Sequence, residues 1–259
     1  MMISNEVIWV TGASSGIGKA VALQLAKQGN KVIASGRNTT KLSSLASEST
    51  NIVALETDLT AMTAADIQTQ LSSHTDHLDR IFLCAGDCLY FEIEQPQWQI
   101  MKQVMEINFH GTVMAIEAAL PLLTRKASAQ HKGHIIAVSS LATAAPFPKA
   151  EAYGASKAAL SYFLSSLRLD LANRHIDVTD IQPGFIDTPL TRKNDFDMPF
   201  LMNADQAAQR IVSNLEARPF KYIFPRRLHW LFRLINLFPR RWLKKQSADS
   251  SQPGSINHG

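Results

Sequence analysis

This chain is expected to fold as a single α/β domain built on a doubly wound parallel sheet, and three observations carry that expectation. Between residues 6 and 224, short β-branched apolar runs alternate with helical stretches. Parallel strands need such spacing, because each requires a crossover to reach its neighbour. The runs are almost continuously apolar, as strands covered on both faces are. A chain of 259 residues, 46% apolar and 19% charged, is long enough for one such core.

The elements follow in order. Residues 6–11 (EVIWVT) form a buried first strand stopped by Gly12. A helix over 17–28 places Ile17, Val21, Ala22 and Leu25 on one face and ends at Gly29. Residues 31–35 are the second strand, 39–47 the second helix and 51–56 the third strand. Residues 61–74 are polar and helical, and 79–85 (DRIFLCA) form the fourth strand. One long helical pattern fills 96–129, interrupted only by Pro121. Then come a strand over 134–139, a helix over 150–174, a strand over 176–181, a helix over 204–217 and a short strand over 222–224. No repeat period is present. The domain spans 1–225, a basic amphipathic helix follows over 226–245, and 246–259 read as a disordered polar tail.

Charge and cysteine usage narrow the function classes. The net charge is +4, but Arg226, Arg227, Arg233, Arg240, Arg241, Lys244 and Lys245 lie in one stretch without an acid; removing those seven leaves the rest at −3. A general nucleic-acid-binding surface is therefore not expected. Cys84 and Cys88 are too few for a disulfide framework, and no further Cys or His joins them at ligand spacing, so no metal is expected. The first residues show no basic region followed by an apolar core, and no uncharged apolar run reaches the ~18 residues that span a bilayer. A reducing, cytoplasmic compartment is the expectation.

The turn between the first strand and first helix reads Thr11-Gly12-Ala13-Ser14-Ser15-Gly16-Ile17-Gly18. Glycines there let the backbone turn tightly, approach a pyrophosphate and pack helix on strand, while the helix N-terminus supplies amide donors. Ser14 and Ser15 add hydroxyls. The second strand runs into Gly36-Arg37-Asn38 without the acid that would bind a ribose diol. A guanidinium at Arg37 pairs with a 2′-phosphate that a carboxylate would repel, so NADP(H) is the expected cofactor.

Tyr153 and Lys157 lie four apart on a helix, hence on one face. A free tyrosine is a weak base near neutral pH, and an adjacent ammonium is expected to lower its pKa toward acid/base range. Ser140, 13 residues earlier at a strand end, can donate to a substrate oxygen; its neighbour Ser139 is the alternative. Asn108 is a polar side chain in mid-helix between apolar neighbours.

Together these residues resemble the compact, single-domain form of the short-chain dehydrogenase/reductase family, over residues 6 to about 224, and the fold implied is Rossmann-like. Gly12, Gly16 and Gly18 match its cofactor loop, and Asn108, Ser140, Tyr153 and Lys157 match its catalytic tetrad. The resemblance implies that Asp58, with Leu59 beside it, contacts the adenine ring. It also implies that Ala85-Gly86 faces the cofactor, and that Pro183-Gly184 with Ile186 and Thr188 wraps the nicotinamide. Tyr153 would exchange a proton with the substrate oxygen while hydride moves at the carbon. Ser140 would polarise the carbonyl, Lys157 would bind ribose, and Asn108 would hold a relay water through its backbone carbonyl. Leu83-Cys84 stand where the family has two asparagines; retained activity with weaker local stability is the expectation.

Residues 189–203 fall where the family carries its substrate lid; Phe196, Met198, Phe200, Leu201 and Met202 either wall a pocket for a hydrophobic alcohol or ketone or only pack the lid down. The helix over 226–245 has a stripe of Arg226, His229, Arg233, Asn236 or Arg240, and Lys244, with Leu228, Trp230, Leu231, Phe232, Leu234, Ile235, Leu237 and Phe238 covering the remainder. It could meet a membrane interface, its own domain or a second subunit, the family being commonly homo-oligomeric. A dehydratase or isomerase on the same fold, and a nucleotide sensor docking through this helix, are the competing readings.

Overall fold

A computed structural model describes residues 3–94, 96–193 and 197–237. Seven parallel strands form one sheet in the order β3-β2-β1-β4-β5-β6-β9: β1 is Val7–Thr11, β2 Lys31–Gly36, β3 Ile52–Glu56, β4 Arg80–Leu83, β5 Gly133–Val138, β6 Ile176–Pro183 and β9 Lys221–Phe224. Trp9 of β1 lies between Ile33 and Ile81, which sets the register of the three central strands. The Rossmann-like, single-domain α/β expectation is met.

Alternate strand residues feed opposite faces. Ile8, Val10, Val32, Ala34 and Phe82 pack with the helices α1 (Gly16–Lys27) and α7 (Ala204–Asn214). Trp9, Ile33, Ile81, Leu83 and Ile135 pack on the other side with α3 (Ala64–Ser72), α5 (Gly111–Thr124) and α6 (Glu151–Leu171). Both α3 and α7 begin with reciprocal capping pairs, Thr63 with Asp66 and Asn203 with Gln206. Helix α2 is Thr39–Ser47, as its pattern predicts.

Three expectations need correction. The long helix over 96–129 is not continuous, and it breaks away from Pro121. Helix α4 (Gln99–Met105) passes through a π turn, Glu106–His110, before α5 begins. The Gly111 amide donates to the Glu106 carbonyl, five residues back. Thr112 explains part of this, since its hydroxyl donates to the Asn108 carbonyl at 3.1 Å and so occupies a backbone acceptor. Second, β4 stops at Leu83, so Cys84 and Ala85 are loop. Third, β7 (Ile186–Asp187) and β8 (Met202–Asn203) form an unforeseen two-stranded parallel sheet that ties the segment after β6 to the start of α7.

The basic helix is α8, Arg226–Leu237 within the described residues. Leu228 and Phe232 are buried against Leu141 and Ala145. Residues 238–245 and the tail over 246–259 lie outside the described residues. Among the described residues no helix is long and apolar enough to cross a membrane, and no group of metal-ligating side chains is found.

Candidate active site

Strand order reverses between β1 and β4, whose crossovers leave in opposite directions, so a crevice must open at their carboxyl ends. A cleft of about 280 Å³ lies there. It is lined by Gly12, Ser14, Ser15, Gly16 and Ile17 after β1, by Arg37 after β2, by Asp58 and Leu59 after β3, and by Ala85 and Gly86 after β4. Ser140 after β5, Tyr153 and Lys157 on α6, and Pro183, Gly184, Ile186 and Thr188 at the end of β6 complete it.

The glycine turn has the shape a phosphate needs. Gly12 has φ +66°, and a β-carbon there would sit 2.8 Å from the Ala85 backbone. Gly16 has φ +55°, with Thr188 directly against it. Ser15 stands at the N-cap of α1 without making a side-chain cap, so the first-turn amides face the cleft uncapped by a hydroxyl. Thr11, which opens the turn motif, ties the strand ends together: its hydroxyl accepts from the amides of Cys84 (3.1 Å) and Ala85 (3.2 Å). A phosphate-bearing dinucleotide fits this cradle: its pyrophosphate would meet bare amides and glycine backbone, and its 2′ end would approach Arg37.

Three sequence candidates do not line the cleft. Gly18 packs α1 on β1, where a β-carbon would fall 2.5 Å from the Gly12 carbonyl oxygen. Asn38 caps α2, accepting from the Lys41 amide at 2.9 Å. Asn108 is fully buried behind the cleft. Its Nδ2 donates to the Asp87 carbonyl and to Ser156 Oγ, both at 2.9 Å, and its Oδ1 accepts from the Asp87 amide at 2.8 Å. The π turn aims this side chain across to the loop after β4, and no sequence period signals it.

Ser140 hydrogen-bonds Tyr153, while Ser139 donates to buried Asp180. Both serines line the cleft, and of the two it is Ser140 whose side chain meets Tyr153. Asp180 also accepts from Ser161 (2.6 Å) and from Gln182 Nε2 (2.7 Å), so three donors hold a carboxylate beneath the site. The same strand also carries Asp177, Thr179 and Gln182, so nothing in the sequence set Asp180 apart.

Lys157 Nζ donates to the Val138 carbonyl at 2.9 Å and stands 5.9 Å from the Tyr153 ring centre. Burial lowers the Lys157 pKa to about 8. Tyr153 is half-buried, and desolvation pushes its hydroxyl up to about 12 against the hydrogen bond from Ser140. The expected lowering of Tyr153 by Lys157 is therefore not met: desolvation dominates, and what opposes it is the hydrogen bond from Ser140 rather than the ammonium. The phenol is neutral across the physiological range. Burial likewise pushes the Cys84 and Cys88 thiols up to about 11, so both are held as thiols near neutral pH.

A second cavity, about 90 Å³ and mostly apolar, shares Ser140, Tyr153 and Gly184 with the first. Its walls are Cys88, Phe147, Phe185, Leu190, Leu228 and Phe232. The expected lid residues are elsewhere: Phe200 and Leu201 are exposed, Met202 is buried in the core, Met198 is half-buried outside the cavity, and Phe196 lies outside the described residues. Phe147 and Phe185 were missed because isolated aromatics in loops carry no period.

Comparison with known proteins agrees with this architecture. Residues 6–198 match the family model described as short chain dehydrogenase. An uncharacterised oxidoreductase of Myxococcus xanthus is 33% identical over 242 residues, covering 92% of this chain and 94% of that protein. One from Staphylococcus epidermidis is 34% identical over 215 residues, covering 81% and 90%. Among solved structures, the Pseudomonas aeruginosa RhlG/NADP active-site complex superposes with a TM-score of 0.79 at 26% identity, covering 86% of this chain and 96% of that one. The crystal structure of gox2181 superposes with a TM-score of 0.76 at 20% identity.

Proposed function

The chain is an oxidoreductase of the short-chain dehydrogenase family, and from that premise we propose that it is NADP(H)-dependent and reduces the carbonyl of a hydrophobic substrate to an alcohol. The observation that carries this reading is the junction of the two cavities: Tyr153 and Ser140 line both the glycine-floored cleft and the apolar pocket.

When bound, the dinucleotide supplies the hydride. The chain's own residues do the rest. The pocket around Phe147, Phe185 and Phe232 removes the substrate body from water. Ser140 donates to the carbonyl oxygen and polarises it. Tyr153, neutral because desolvation raises its pKa, delivers a proton to that oxygen as charge develops. Lys157 lies against the cleft, where its ammonium would bind ribose hydroxyls. Asn108 positions the loop around Asp87, and its backbone carbonyl would hold the relay water. Arg37 supports the choice of NADP(H): it stands at the end of β2, next to Asp58 in the field of its charge, where a 2′-phosphate would arrive. The reading also includes a homo-oligomer, supported by Tyr162 and Leu169, exposed one above the other on α6.

The test is titration of the protein with NADPH and NADH, followed by quenching of tryptophan fluorescence, on wild type and Arg37→Ala. NADPH binds more tightly to wild type, and the variant loses about tenfold or more for NADPH alone. Preference for NADH in wild type, or a variant that binds NADPH as tightly as wild type does, would overturn the cofactor assignment.

A further inference from the structure

The helix α8 has two apolar faces. At about 100° per residue, Leu228, Phe232 and Ile235 point one way and pack on Leu141 and Phe147. Trp230, Leu234 and Leu237 point the opposite way and are 60%, 59% and 69% exposed, with Leu231 beside them at 44%. Arg226, Arg227 and Arg233 fall along and beside this outer arc. Among the described residues they pair with no acid, and the Arg233 guanidinium lies 5.8 Å from the Trp230 ring centre. The patch continues onto the segment before α7: exposed Phe200 lines one surface depression with Arg210, Arg226 and Arg227.

We propose that this outer face docks the protein on the surface of an anionic lipid bilayer. Charge selects this occupant. Residues 226–245 carry seven basic side chains and no acid, so a second copy meeting the same face would set arginine against arginine. Lipid phosphates and carboxylates complement it, and a tryptophan among arginines and leucines suits the headgroup boundary. The inner face is already occupied by the domain, so α8 need not unfold or detach to bind. Docking does not depend on the reaction proposed above. If both hold, the apolar pocket lies directly behind the lipid-facing helix, where a hydrophobic substrate would arrive from the bilayer.

The test is flotation of the full chain with vesicles of phosphatidylcholine alone or with added phosphatidylserine, on wild type and the double variant Trp230→Glu, Leu234→Glu. Wild type floats with the anionic vesicles, on the order of 100-fold more tightly than with the neutral ones for three arginines at the surface. Added salt weakens the binding, and the double variant loses it while still binding NADPH. Equal or no flotation of wild type with the two compositions overturns the proposal. So does retention of binding by the double variant, or sedimentation showing a dimer that this variant dissolves, which would assign the face to a second copy.

Discussion

At the amino edge of the sheet, buried Arg80 holds Glu6 through Nε (2.5 Å) and Nη2 (2.9 Å), while its Nη1 reaches His134 Nδ1 (2.7 Å) and the Leu215 carbonyl (3.1 Å). At the carboxyl edge, buried Lys157 holds the Val138 carbonyl and faces a cleft. Both are cations taken out of water by the same sheet. The first is nearly saturated: His134 accepts from Arg80 and so donates from Nε2 to Thr179, whose hydroxyl donates to the Pro219 carbonyl. Four of the five Arg80 N–H groups have acceptors and the fifth faces the Glu216 carboxylate at 3.8 Å, so little donor capacity is left over. The second keeps donor capacity unspent, and that surplus is what a ligand can use. Buried charge by itself does not mark a site; buried charge that opens on a cavity does.

Substitutions can break this contrast, beginning with the largest effect. Tyr153→Phe is expected to lower turnover of a carbonyl substrate by about 10²–10⁴-fold, the usual worth of a positioned acid. Its unfolding free energy should change by no more than about 1 kcal/mol, since one hydrogen bond is lost. A folded variant keeping most of its turnover would put the proton donor elsewhere. Arg80→Met should do the reverse. It leaves Glu6 without its partner and costs about 3 kcal/mol in urea unfolding, while the folded fraction turns over normally.

The smallest effects sharpen the comparison through pH. Burial and the nearby arginines hold His134 well below its usual 6.5. As pH falls below that value the unfolded chain takes up a proton that the folded chain refuses. Stability is therefore lost toward acid, with a limiting slope of about 1.4 kcal/mol per pH unit. His134→Gln removes that part of the slope. Lys157 sits near 8 rather than 10.5. Between those values the unfolded chain binds the extra proton, so stability rises with pH, and Lys157→Met lacks the rise. Denaturant unfolding at stepped pH reads both, and loss of either window in the wrong variant would dissolve the distinction.

The seven strands of the main sheet were legible because each is a short apolar run, unlike the two-residue β7 and β8, and the glycine turn was legible because Gly12 and Gly16 need positive φ where a strand meets a helix. Tyr153 and Lys157 were legible because helical spacing turns sequence distance into a shared face. The π turn was not. It depends on where the side chains of Thr112 and Asn108 send their hydrogen bonds, and Asp87 and Ser156 are distant in sequence. The apolar pocket was misplaced for a similar reason. Hydrophobicity singled out the segment around Phe200, but packing brought Phe147, Phe185 and Phe232 to Tyr153 instead. The division of α8 into inner and outer faces needed its neighbours too, since composition alone reads as one broad apolar surface.

Two of the walls beside Tyr153, Leu228 and Phe232, come from the last described helix, beyond the final strand of the sheet. Among the described residues no strand follows them and no crossover of the sheet depends on their length. That stretch is thus less tied to the order of the sheet than the strands and crossovers before it. Shortening, exchange or recombination there can retailor what the pocket accepts while the glycine turn and its neighbours stay as inherited.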